Sequence, residues 1–121
     1  MMELTIGGQV FEFNFGMGFL REINKTVTVT QNGVKHDEGL QYKVAGLIDG
    51  DTLDLVEVLF MANMGRNPRV TKAALEEYID NECTDIDALF AEVLDFLRES
   101  NATRTIVRKM DERVAKAMDQ L

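Results

Sequence analysis

The sequence predicts an α+β fold, in which a small N-terminal β-hairpin or sheet is followed by a mainly helical body of five to six helices. Three observations predict it. Residues 2–13 alternate apolar and polar about a Gly7-Gly8 pair, the period of a half-buried hairpin. Ile86, Leu89, Phe90, Val93, Leu94 and Leu97 recur at the 3.6-residue period of one buried helical face. Between these stretches, apolar segments alternate with Asn, Asp, Gly and Pro breaks at helix-length intervals.

In the hairpin, Gly7-Gly8 supplies the positive-φ positions that tight primed turns require. Pairing outward sets Ile6 against Gln9, Leu4 against Phe11 and Met2 against Phe13 on a mostly apolar face. Asn14 is placed to cap a short helix through about Asn24 that buries Phe15, Phe19, Leu20 and Ile23. Gly16 and Gly18 lack a dinucleotide-binding context and read as close-packing positions against the hairpin. Thr26 to Thr30 is β-branched and suggests a third strand, and the polar Gln31 to Gly39, with its Asn32-Gly33 turn signal, reads as a loop.

Leu40 to Ile48 predicts a helix with Leu40, Val44, Leu47 and Ile48 inward, ended by Asp49-Gly50-Asp51. Asp51 and Asp54 start the next, Thr52 to Met64, with Leu53, Val56, Leu59 and Phe60 inward and Gly65 and Pro68 as the stop. Thr71 caps a helix that turns Leu75, Tyr78 and Ile79 inward and ends near Asn81. Thr84 and Asp87 resemble a capping box for the central helix. After Asn101 a last helix carries Ile106, Val107, Met110, Val114, Ala117, Met118 and Leu121 on one face and Arg104, Arg108 and Lys116 on the opposite one. The expected organisation is one domain over 1–121: hairpin, short helix and third strand in 1–30, helical body in 40–100, terminal amphipathic helix in 101–121.

The net charge is −8, and it is unevenly spread. Acids dominate from Ala74 to Glu99, whereas bases outnumber acids from Ser100 onward. Such acidity disfavours nonspecific binding to nucleic acid or anionic membrane, so neither is expected as a partner. Cys83 is the only cysteine, which removes a disulfide framework and a thiolate zinc site. No apolar run reaches membrane-spanning length, and Met1 to Gln9 lacks the pattern of a signal peptide. These features point to a cytoplasmic protein.

No residue set stands out for catalysis. His36 is the only histidine and lies in the loop-like stretch, while Cys83 sits among acids that oppose a thiolate. An EF-hand register begun at Asp80 meets Thr84 at its third ligand, Asp85 at the glycine position and Ala91 at the last ligand, so it fails. No catalytic residue, metal ligand or cofactor is therefore expected. The interaction features are stronger. Phe96 lies at the margin of the central stripe, and the last helix, through Ile106, Val107, Met110, Val114, Met118 and Leu121, is the candidate partner-binding element. An acidic inhibitor or DNA-mimic-type protein using the carboxylates of 76–99 is the alternative reading.

The stretches NFGMGFLREIN (14–24), GLQYKVAGLIDGD (39–51), NPRVTKAALEEYID (67–80) and TDIDALFAEVLDFL (84–97) resemble the small tail assembly chaperones of long-tailed bacteriophages. The resemblance implies a non-catalytic protein that binds and solubilises the tape-measure protein and helps recruit tail-tube subunits, the latter through a longer frameshifted form. It implies the short form here, many copies per client and hence a homo-oligomer. It also implies action in the host cytoplasm and absence from the mature virion. It transfers no site residues.

Overall fold

The computed structural model describes residues 1–121 throughout. Strands β1 (Met2–Ile6) and β2 (Gln9–Phe13) form an antiparallel hairpin with Met2 opposite Phe13, Leu4 opposite Phe11 and Ile6 opposite Gln9. Gly7 and Gly8 hold φ of 58° and 79°, the left-handed geometry that joins two twisted strands in a two-residue turn. Met2, Ile6, Phe11 and Phe13 are buried beneath it.

Helix α1 (Met17–Asn24) buries Phe19 and Ile23, with Phe15 buried just ahead of it and Leu20 partly covered. Asn14 does not cap it. Gly16 occupies the cap position, and the Asn14 side chain instead accepts from Gly16 N at 3.0 Å, spending its oxygen on a local turn. Nor do Gly16 and Gly18 serve close packing. A Cβ at Gly18 would meet nothing within 4 Å, and one at Gly16 would meet only the Asn14 side chain.

The third strand expected over Thr26 to Thr30 forms, shifted to Thr28–Gln31, whereas a second hairpin replaces the loop expected after it. Strand β3 (Thr28–Gln31) pairs with β4 (Val34–Asp37), apart from the first sheet, and Asn32 and Gly33 turn between them at φ of 52° and 78°. All of β4 is exposed, so it carries none of the apolar alternation that announces a strand.

Helices α2 (Gly39–Ile48) and α3 (Thr52–Ala62) follow, separated at Gly50. Leu40, Val44 and Leu47 are buried as expected, and Asp51 caps α3 by accepting from Asp54 N at 3.2 Å. The inward face of α3 is nevertheless rotated from the expected one. Leu55, Val56, Val58, Leu59 and Ala62 are buried, whereas Leu53 is 77% exposed. The helix is apolar nearly all round, so its own periodicity selects no face. The neighbours α1, α2 and α4 select it instead.

Helix α4 (Lys72–Glu77), capped by Thr71 on Ala74 N at 3.0 Å, runs into a single π turn, Tyr78–Glu82. Glu82 reaches back to accept from Gly7 N with both carboxylate oxygens at 3.1 Å, tying this turn to the first hairpin. Helix α5 (Ile86–Glu99) buries Leu89, Phe90, Val93, Leu94 and Leu97. Its cap is Asp85, which accepts from Ala88 N at 3.0 Å, so the Thr84–Asp87 box does not form. Helix α6 (Arg104–Asp119) closes the chain. One cluster of 23 buried residues, from Met2 to Val107, joins the first hairpin to every helix. No helix is long and apolar enough to cross a membrane.

Candidate partner-binding surface

Helix α6 is built in two halves. At its start, Thr103 is buried and its hydroxyl donates to Leu97 O at 2.6 Å, so it locks the α5–α6 corner and offers α6 no side-chain cap. Val107 is fully buried, and Ile106 and Met110 are partly buried against the core, where the helix packs on α5 and α2. Arg98 then pins the helix. Its Nε donates to Asp111 Oδ2 at 2.9 Å, Nη2 to Asp111 Oδ1 at 3.2 Å and Nη1 to Asp95 Oδ1 at 3.2 Å. The fork of bonds to Asp111 raises the Arg98 pKa above its ordinary value despite partial burial.

Beyond Asp111 the helix leaves the body, and every residue from Glu112 to Leu121 is exposed. The apolar stripe does not stop there. Val107, Met110, Val114, Ala117 and Leu121 keep alternating three- and four-residue spacing, with Met118 beside them. The inner part of the stripe is covered, whereas Val114, Met118 and Leu121 are 37%, 67% and 105% exposed.

The seven candidate contact residues are thus not one patch. Val107 is core and presents no surface, Ile106 and Met110 form the margin, and Val114, Met118 and Leu121 are the outward part. Phe96 lies apart, its ring 6.1 Å from that of Phe15, beside a shallow cavity of about 250 Å³ that Ser100 and Glu99 also line. None of Arg104, Arg108, Lys109, Arg113 and Lys116 on α6 forms an ion pair; the one salt bridge that reaches this helix is Arg98 with Asp111. A groove of about 340 Å³ between α2 and α6, lined by Tyr42, Ala45, Gln41, Glu38 and Arg113, adjoins the outer stripe. Tyr42 is 53% exposed there, and the buried Gln41 Oε1 has no hydrogen-bond partner.

Two further concavities escaped the sequence reading, because each joins residues distant in the chain. One, of about 370 Å³, gathers Met17, Met61 and Met64 with Arg21 and Arg66 between α1 and the end of α3. The other, of about 190 Å³, lies between β1, the π turn and the start of α5, where Leu4, Tyr78, Cys83 and Ala88 are rimmed by Asp85 and Glu92. Burial first, then Cys83, Glu92 and Glu82, push the Tyr78 phenol above its ordinary pKa. Cys83 packs at the core edge beside Tyr78, whereas His36 stands exposed on β4. Several carboxylates of 76–99 already have tasks: Glu82 on Gly7, Asp85 as a cap, Glu77 on Asn81 and Asp95 on Arg98.

An α+β body from which one amphipathic helix extends is suited to holding a partner. The profile of the phage tail assembly chaperone protein family, TAC, matches residues 3–112, so the chain belongs to that family and takes part in bacteriophage tail assembly. Comparison with curated proteins and with solved structures gives no match.

Proposed function

We propose that the chain covers apolar helical surface on the tape-measure protein, keeps it soluble and helps bring tail-tube subunits to it. The observation that carries this reading is the outer half of α6, where Val114, Met118 and Leu121 prolong a stripe whose inner half is already packed. A long client helix supplies the missing half of such a seam, and flexible methionine adapts to clients of varied shape. Ile106, Met110 and Phe96 border the contact, and Val107 anchors the helix that makes it. The acidic body keeps the loaded complex soluble.

On this reading the protein works without catalysis or cofactor, in the host cytoplasm, and is left out of the mature virion. Several copies act on one client as a homo-oligomer, and a longer frameshifted form makes the tail-tube contact. Neither nucleic acid nor membrane is a partner, in keeping with the charge of −8.

Co-expression with the tape-measure and tail-tube proteins of the same phage tests the proposal. A soluble complex that persists at about 0.5 M salt, where surface charge is screened, is expected. A Met118→Glu, Leu121→Glu double variant should capture at least about tenfold less tape measure, since both side chains are exposed and their loss spares the fold. Insoluble tape measure in the presence of the unaltered chain would defeat the proposal. Equal capture by the variant would move the contact off α6.

A further inference from the structure

The groove between α1 and the end of α3 is a basic island on a chain of net charge −8. Its charged lining is Arg21, Arg66 and Glu22. Glu22 is engaged by Lys25 at 3.2 Å, whereas neither guanidinium pairs with a carboxylate. The two arginines come from segments far apart in the sequence and meet only because α1 packs on α3. Three methionines share the same lining. Met17 is 60% exposed and Met64 44%, while Met61 is partly buried against the core.

The backbone around the groove leaves its field positive. The last carbonyls of α3 are occupied: Phe60 O accepts from Arg69 Nη1 at 2.8 Å, Met61 O from Met64 N at 3.2 Å and Ala62 O from Asn14 N at 2.8 Å. The negative end of α3 is thereby largely neutralised, and the start of α1 turns its positive end to the same place. At about 370 Å³ the groove falls at the small end of ligand-binding clefts.

The lining selects the chemistry of its occupant. A bare anion would leave the methionines uncovered, and a purely apolar chain would cover two guanidiniums without a counter-charge. A carboxylate beside a large apolar side chain satisfies both halves. Phosphate-rich polymers and anionic membranes meet a repelling acidic body around the site. Guanidinium binds carboxylate through two parallel hydrogen bonds, and methionine moulds to apolar side chains of different shape. We infer that this groove docks an acidic segment of a partner protein, with Arg21 and Arg66 on its carboxylates and the three methionines around an adjoining leucine or phenylalanine. The site shares no residue with the outer turns of α6, so it stands independently of the client contact proposed there.

Methionine-methyl NMR on the full chain tests this, since the seven methionines report separately on the groove, the core and α6. The probe is a short synthetic peptide repeating Glu-Leu-Phe-Asp. It should shift the Met17, Met61 and Met64 methyls with a Kd below about 1 mM, leaving Met110 and Met118 in place. A peptide with lysine for each acid, and one with serine for each leucine and phenylalanine, should each bind at least about tenfold more weakly. An Arg21→Glu, Arg66→Glu double variant should lose at least about tenfold in affinity for the original peptide. Neither side chain has an ion-pair partner to lose, and circular dichroism confirms that the variant folds. Should it misfold, Arg66→Gln replaces it, with a loss of at least about threefold.

No methyl shift at about 1 mM peptide would overturn the inference. Equal binding of either control peptide would do so too, as would an unchanged affinity in the arginine variant. Shifts centred on Met110 or Met118 would place the peptide on α6 and overturn it as well.

Discussion

Asn63 shows how one side chain can hold three segments together. It is fully buried, its Nδ2 donates to Glu12 O at 2.9 Å and Pro68 O at 3.3 Å, and its Oδ1 accepts from Val70 N at 2.7 Å and Arg69 Nη1 at 3.0 Å. Asn63→Ala strands the buried Val70 N–H and the Glu12 carbonyl together, and should cost roughly 2–5 kcal/mol in chemical denaturation. A loss under about 1 kcal/mol would mean water replaces the amide.

Gly39 is a second such position. A Cβ there would lie 1.8 Å from Ile23 O and 2.6 Å from Thr26 Oγ1, so Gly39→Ala forces backbone apart and should cost roughly 2 kcal/mol or more. Tyr78 supplies a pH signature. Its folded pKa lies above the ordinary 10.0, so the stabilisation it contributes is complete below that pH and is lost as pH rises through the folded value. In an absorbance titration, the step that Tyr78→Phe removes should lie above pH 10.0; a removed step at or below it would contradict the raised value. None of these residues is marked in the sequence. Asn63 looks like an ordinary helix end there, and Gly39 differs from Gly18 only in what the fold brings near it.

Among the elements, those with one buried face and a turn or break at each end were legible before the structure. The first hairpin has the expected register, and the α5 stripe is buried with only Ile86 partly covered. Legibility failed where the face was set from outside. The α3 helix takes its orientation from its neighbours, which turns Leu53 outward, and β3–β4 is held by its own turn and ladder. The α6 stripe was readable as a stripe, but its division at Asp111 was not, because that depends on where the body ends.

This division makes a prediction for the element. Removing residues after Asp111 should leave the fold and its denaturation midpoint nearly unchanged, since all that is lost is exposed. Removing residues after Ser100 also takes Thr103 and Val107 out of the core, and should cost at least about 2 kcal/mol from Val107 alone. Equal stability of the two truncations would show that α6 is not anchored as described.

At the scale of the whole molecule, the chain separates a stable acidic body from a helix end that has apolar surface and unpaired bases to offer. Membership of the tail assembly chaperone family places the chain in phage tail assembly, and the proposed client contact uses that asymmetry. The resemblance was legible because it spread over four stretches of the body. The candidate surface was legible only in part, since the grooves join residues such as Leu4 and Glu92 that no local pattern connects.

The most direct measurement of the central claim is amide hydrogen exchange on the dilute chain, alone and bound to the tape-measure protein. Residues 112–121 should exchange quickly in the free chain and become protected in the complex, with Tyr42 and its neighbours on α2 following. Protection confined to the Met17, Met61 and Met64 groove, with 112–121 unchanged, would contradict the claim that α6 holds the client.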